Sequence, residues 1–190
     1  MHTEAFAGQE KTVVNGKLRL FSLYVDFAAS AHARWATDTI TKLAGRRWQC
    51  STEMWNLDAL TASEPIRKMI TGDAADADVL IIAASSLARR ETKLIEWLDS
   101  LAAWKTSRPV PGWLVGLFGD EENRSQELEW TAQQFIYCAR QMGRELAVRW
   151  LERDSLDESG WLTERVETLL ARKQSACSEA FRQETAVGVG

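Results

Sequence analysis

The chain has 190 residues, 23 basic against 27 acidic side chains and a formal net charge of −4. That length suits one well-buried domain, and the acidic balance lacks the basic surface that nucleic acid or an anionic membrane would need. No apolar run approaches the roughly 20 residues of a membrane span, and residues 1–16 lack the basic start and apolar core of a secretory signal, so a cytoplasmic protein is expected.

Residues 1–16 are small, polar and aperiodic and read as a flexible N-terminal arm. Leu18 to Val25 is the first expected strand, stopped by Asp26. The segment Asp26 to Ser30 then reads as a short loop, with Ser30 placed to cap a helix that starts at Ala31. Ala36, Ile40, Leu43 and Ala44 give that helix one inward stripe, and Gly45 ends it. Trp48, Cys50, Thr52 and Met54 alternate with Gln49, Ser51 and Glu53, the pattern of a strand with one wet face and therefore of a sheet edge. Ser63-Glu64-Pro65 supplies a cap, an early acid and a first-turn proline for a second helix, with Ile66, Met69 and Ile70 inward.

Asp78-Val79-Leu80-Ile81-Ile82-Ala83-Ala84-Ser85-Ser86 is apolar on both pleat faces, as a central strand of a parallel sheet must be. A third helix carries Leu94, Trp97, Leu98, Leu101 and Trp104 on one face, and two prolines at 109 and 111 stop it. Trp113 to Phe118 is a second fully apolar strand with the acidic exit Gly119-Asp120. Leu128, Ala132, Phe135, Ile136, Ala139 and Met142 form the stripe of a fourth helix that Gly143 terminates. Leu146, Val148 and Trp150 mark the fifth strand. A last helix, capped by Ser159, carries Leu162, Val166, Leu169 and Leu170. From about residue 174 the chain turns small and polar, and 174–190 reads as a disordered tail, which leaves 17–173 as a single domain.

Strict alternation of strand and helix implies an α/β fold: a three-layer αβα sandwich around a five-stranded parallel sheet, for which the flavodoxin-like order 2-1-3-4-5 places the wet second strand at an edge. Ligands in such folds lie at the carboxyl ends of the strands. The candidate ligand-binding residues are therefore Asp26, Ser30, Ser85, Ser86 and Asp120. Arg89 and Arg90, which follow the two serines, are candidates for meeting an acidic partner. Trp55, Trp104 and Trp130, among nine tryptophans, are candidates for an interaction surface because indole is seldom wholly buried. Cys50, Cys138 and Cys177 have no short pairing and no neighbouring histidine, so neither a zinc site nor a disulfide framework is expected, and no metal site is read.

In this arrangement the chain resembles the receiver domains of bacterial response regulators. That resemblance implies acidic residues after strand one, an acceptor aspartate after strand three, a hydroxyl after strand four and a lysine after strand five. Asp26 matches the first; Ser85 or Ser86 stands at the acceptor position, Gly119-Asp120 replaces the hydroxyl and Leu151-Glu152-Arg153 the lysine. The chain is also similar to a set of short, uncharacterised bacterial proteins, through Val25-Asp26, Met54-Trp55-Asn56-Leu57-Asp58, the Ala77 to Ser85 strand and Trp97-Leu98. Both resemblances imply the fold, the first with a degenerate phosphorylation site.

The reading is a non-catalytic receiver-like regulatory or interaction domain without cofactor, acting through a protein partner or self-association. The alternative is a small-ligand binder or reductase that takes FMN or a nucleotide in the strand-end crevice. A flavin phosphate favours a loop of hydroxyls and glycines feeding the first helix. Here that loop offers one hydroxyl, no glycine and an aspartate at its entrance.

Overall fold

The computed structural model describes residues 16–86, 91–104, 112–119, 126–150 and 160–187. The elements alternate along the chain as β1 (Gly16–Tyr24), α1 (Phe27–Ala44), β2 (Trp48–Asn56), α2 (Glu64–Asp76), β3 (Val79–Ala84), α3 (Glu91–Ala102), β4 (Trp113–Phe118), α4 (Gln126–Gln141), β5 (Glu145–Trp150) and α5 (Gly160–Val187). All strand pairs are parallel, and the sheet order is β2-β1-β3-β4-β5. The expected α/β class and strand order hold, because each apolar strand needs cover on both faces and each crossover returns the chain to the same sheet end.

The two faces carry separate cores. Leu20, Val79, Ile81, Ala83, Val115 and Leu117 face α1 and α5, while Phe21, Leu23, Leu80, Ile82, Leu114 and Phe118 face α2, α3 and α4. Every residue of β3 and β4 is buried. β2, at one edge, is buried only at Trp48.

Several local expectations change. α1 begins at Phe27, four residues before the expected start, because Asp26 and not Ser30 takes the N-cap: its extended backbone precedes the helix and its side chain accepts from the Ala29 N–H. Asp26 thus ends one element and starts the next. Met69 is 47% exposed because α2 turns Ile70, Thr71, Ala74 and Ala75 inward. Ile136 is 43% exposed, since the buried stripe of α4 runs through Thr131, Phe135, Cys138 and Ala139. α5 continues past residue 174, where a disordered tail was expected, to Val187. From Trp161 to Val187 that helix contains no glycine or proline, and it is rich in Ala, Glu, Arg and Gln, which favour helix.

Candidate functional site

The exits of β1, β3 and β4 lie side by side at the carboxyl end of the sheet. The ladder extends one residue past β1, where the Val25 N–H donates to the Ala83 carbonyl at 2.9 Å. Next comes Asp26, whose two carboxylate oxygens serve two different segments. Oδ1 accepts from the Ala29 N–H at 2.9 Å in the first turn of α1. Oδ2 accepts from the N–H groups of Ser85 at 2.9 Å and Ser86 at 3.1 Å, just beyond β3. One side chain therefore closes a helix start onto a strand exit about 60 residues away in sequence.

Of the five candidate ligand-binding residues, the structure brings Asp26, Ser85 and Ser86 together. Ser30 lies in the first turn of α1, where its hydroxyl donates to the Phe27 carbonyl at 2.6 Å. Asp120, like Arg89 and Arg90, lies outside the described residues. The Ser85 Oγ is buried and has no hydrogen-bond partner among the described residues. Gly119 passes so close to the same residue that an added Cβ would lie 2.8 Å from the Ser85 Cα and carbonyl oxygen. Only glycine permits that approach, and the Gly119 N–H donates to the Ala84 carbonyl at 2.8 Å.

Among the described residues, the titratable groups near this end include Asp26, His32, Asp58 and Lys93. Burial lowers the His32 imidazole below its ordinary 6.5, and the nearby Asp26 charge opposes that shift. Lys93 on α3 reaches Asp58, beyond β2, at 2.9 Å. Among the described residues no group of three or more His, Cys, Asp or Glu side chains could hold a metal ion. Burial, with a smaller contribution from the Asp99 charge, pushes the Cys138 thiol up to about 11, and burial also raises Cys50. Thiols so raised stay protonated at neutral pH and are poor nucleophiles.

The candidate interaction tryptophans separate into two kinds. Trp55 is half-buried and packs against the α2–α3–α4 core. Trp104 and Trp130 are 44% and 45% exposed. Trp104 lies just past the end of α3 against Gly72 of α2, where an added Cβ would stand 3.6 Å from its ring. Trp130 lines a groove of about 320 Å³ with Thr92, Ile95 and Glu96 between α4 and α3. Phe118, at the exit of β4, is fully buried, with its ring centroid 5.2 Å from Phe135 and 5.4 Å from Trp150.

Two residues escaped the sequence reading. Phe27 is 92% exposed beside Asp26. Assigning the cap to Asp26 would have placed Phe27 at the first, outward-facing helical position. Arg144 is buried at the opposite end of the sheet, and no periodicity marks it.

No protein-family model matches the chain, and no curated protein matches it either. Solved structures do. A short-chain flavodoxin associated with a non-canonical PDU bacterial microcompartment superposes with a TM-score of 0.54 at 14% identity, over 82% of this chain and 99% of its own. An oxidoreductase from Corynebacterium diphtheriae superposes with a TM-score of 0.55 at 11% identity, over 85% and 98%. The fold is flavodoxin-like. Identity this low carries the fold and no activity. A flavin mononucleotide, the group this fold brings to mind, would seat its phosphate on the N–H groups that begin α1. Here the Ala29 N–H is already bonded to Asp26, whose negative charge opposes a phosphate, so the described residues do not fit that group. Among the described residues no helix is long and apolar enough to cross a membrane.

Proposed function

We propose that this flavodoxin-like domain is a non-catalytic, receiver-like regulatory or interaction module that uses no cofactor, lacks the acceptor aspartate of a receiver and acts through the outer face of α3 and α4. The observation that carries this reading is Trp130, almost half exposed and lining an open groove with Ile95. Exposed aromatic side chains at a groove are the kind of surface that anchors protein interfaces. Tyr137, two turns further along α4 and 54% exposed, extends the same apolar surface. The crevice, in contrast, spends its best-placed carboxylate on internal N–H groups.

Light scattering over a range of protein concentrations tests the reading, with a second copy as the first partner to examine. Self-association that Trp130→Ser abolishes supports it. A strict monomer whose tryptophan emission is saturably quenched by micromolar FMN would replace it with the flavin-binding or reductase alternative.

A further inference from the structure

Three N–H groups from two segments converge on one carboxylate. Ala29 belongs to the first turn of a helix, where free N–H groups and the helix dipole favour an anion. Ser85 and Ser86 belong to the exit of β3, and both turn their N–H groups to the same Oδ2. Ser85 also holds a buried hydroxyl without a partner among the described residues. Such a set of donors would suit a phosphate oxygen, yet the chain supplies the anion itself.

We propose that Asp26 is a built-in anion that occupies the position where this fold would take a phosphate and closes it to phosphorylated ligands. Its carboxylate supplies the negative charge, satisfies the donors and fills their point of convergence. Phosphate monoesters, FMN and nucleotides included, are therefore excluded there by occupancy and by charge repulsion. The inference rests on the geometry around Asp26 alone, so a failure of the α3–α4 surface reading would leave it standing.

The closing experiment uses the full chain, inorganic phosphate as the probe and three proteins: wild type, Asp26→Gly, which frees all three N–H groups, and Asp26→Ser, which keeps an acceptor for Ala29 and so protects the helix start. Thermal unfolding is followed against phosphate concentration and against chloride at matched ionic strength, with near-ultraviolet circular dichroism of the tryptophans confirming the fold. The expected result is a saturable, phosphate-specific rise in melting temperature in the variants and none in wild type. A phosphate effect of the same size in wild type overturns the proposal, as does a folded variant that responds no differently to phosphate than to chloride. Should Asp26→Gly fail to fold, Asp26→Ser alone decides.

Discussion

The two ends of the sheet are tied by the same device with opposite signs. At the carboxyl end an anion, Asp26, collects three backbone N–H groups from α1 and the exit of β3. At the amino end a cation, Arg144, collects backbone carbonyls: Nη1 donates to Ala77 at 3.0 Å and Trp113 at 3.2 Å, and Nη2 to Ala74 at 2.9 Å and Ala75 at 3.0 Å. The signs follow from helix polarity. The first N–H groups of a helix and its last carbonyls lack partners within the helix, so a carboxylate suits the start of α1 and a guanidinium the end of α2. The difference lies in burial. Arg144 is 8% exposed and Asp26 is only half-buried, so the amino end is sealed as structure while the carboxyl end keeps an open rim.

That contrast orders the expected losses. Arg144→Met should cost the most, about 3 kcal/mol or more, because it removes four hydrogen bonds that a buried charged donor makes to main-chain carbonyls. Asp26→Ala should cost about 2 kcal/mol, combining a lost helix cap with two lost charge-assisted bonds in partly solvated surroundings. Urea unfolding followed by tryptophan emission measures both. Equal losses would erase the asymmetry between the ends. A melting temperature unmoved by Asp26→Ala would contradict the tie between α1 and the β3 exit, and would return Asp26 to the plain ligand-site role that its position in the sequence suggests.

Gly119→Ala sharpens the same comparison at the carboxyl end. The added methyl would press on the backbone of Ser85, and a neighbour of that kind cannot rotate away. A loss of about 1 to 3 kcal/mol is expected, the range for forced overpacking. A neutral effect would mean that the β3 and β4 exits can separate, and that the Asp26 contacts with Ser85 and Ser86 are looser than their lengths indicate.

The architecture was legible because burial on two faces leaves an unmistakable pattern: Val79 to Ala84 and Trp113 to Phe118 are apolar without interruption, and the wet face of β2 marks an edge. Both glycine helix stops held, with Gly45 and Gly143 at φ +58° and +61°. Less was legible where one residue could serve two purposes. Asp26 could end a strand, cap a helix or face a ligand, and composition alone does not rank those roles; the Ala29 bond shows that it performs the first two together, and the Ser85 and Ser86 bonds add a tie to the β3 exit. Met69 and Ile136 sit at the margins of their apolar stripes, where a rotation of the helix by a fraction of a turn exchanges core for solvent, and Trp104 falls just past the end of α3. Arg144 was invisible because its partners are main-chain carbonyls from other segments, which leave no mark in the residue types around it.

The smallest expected effect links His32 to the carboxyl-end tie. Burial holds its imidazole below the ordinary value of 6.5, and the charge on Asp26 works against that shift. A base with a lowered folded pKa takes up its proton more readily in the unfolded chain, so stability is fully present above pH 6.5 and falls as pH drops below it. His32→Gln should flatten this part of the stability profile. Asp26→Asn, which removes the opposing attraction, should make the decline in this range steeper than in wild type once its own overall loss is subtracted. Urea midpoints measured from about pH 7.5 down to about pH 5.5, the interval in which an imidazole titrates, resolve the two slopes. If Asp26→Asn leaves the slope unchanged, the carboxylate acts on its neighbours only through the three N–H groups it binds; if the slope steepens, its charge also reaches along α1 to His32, and the tie at the open end of the sheet is electrostatic as well as local.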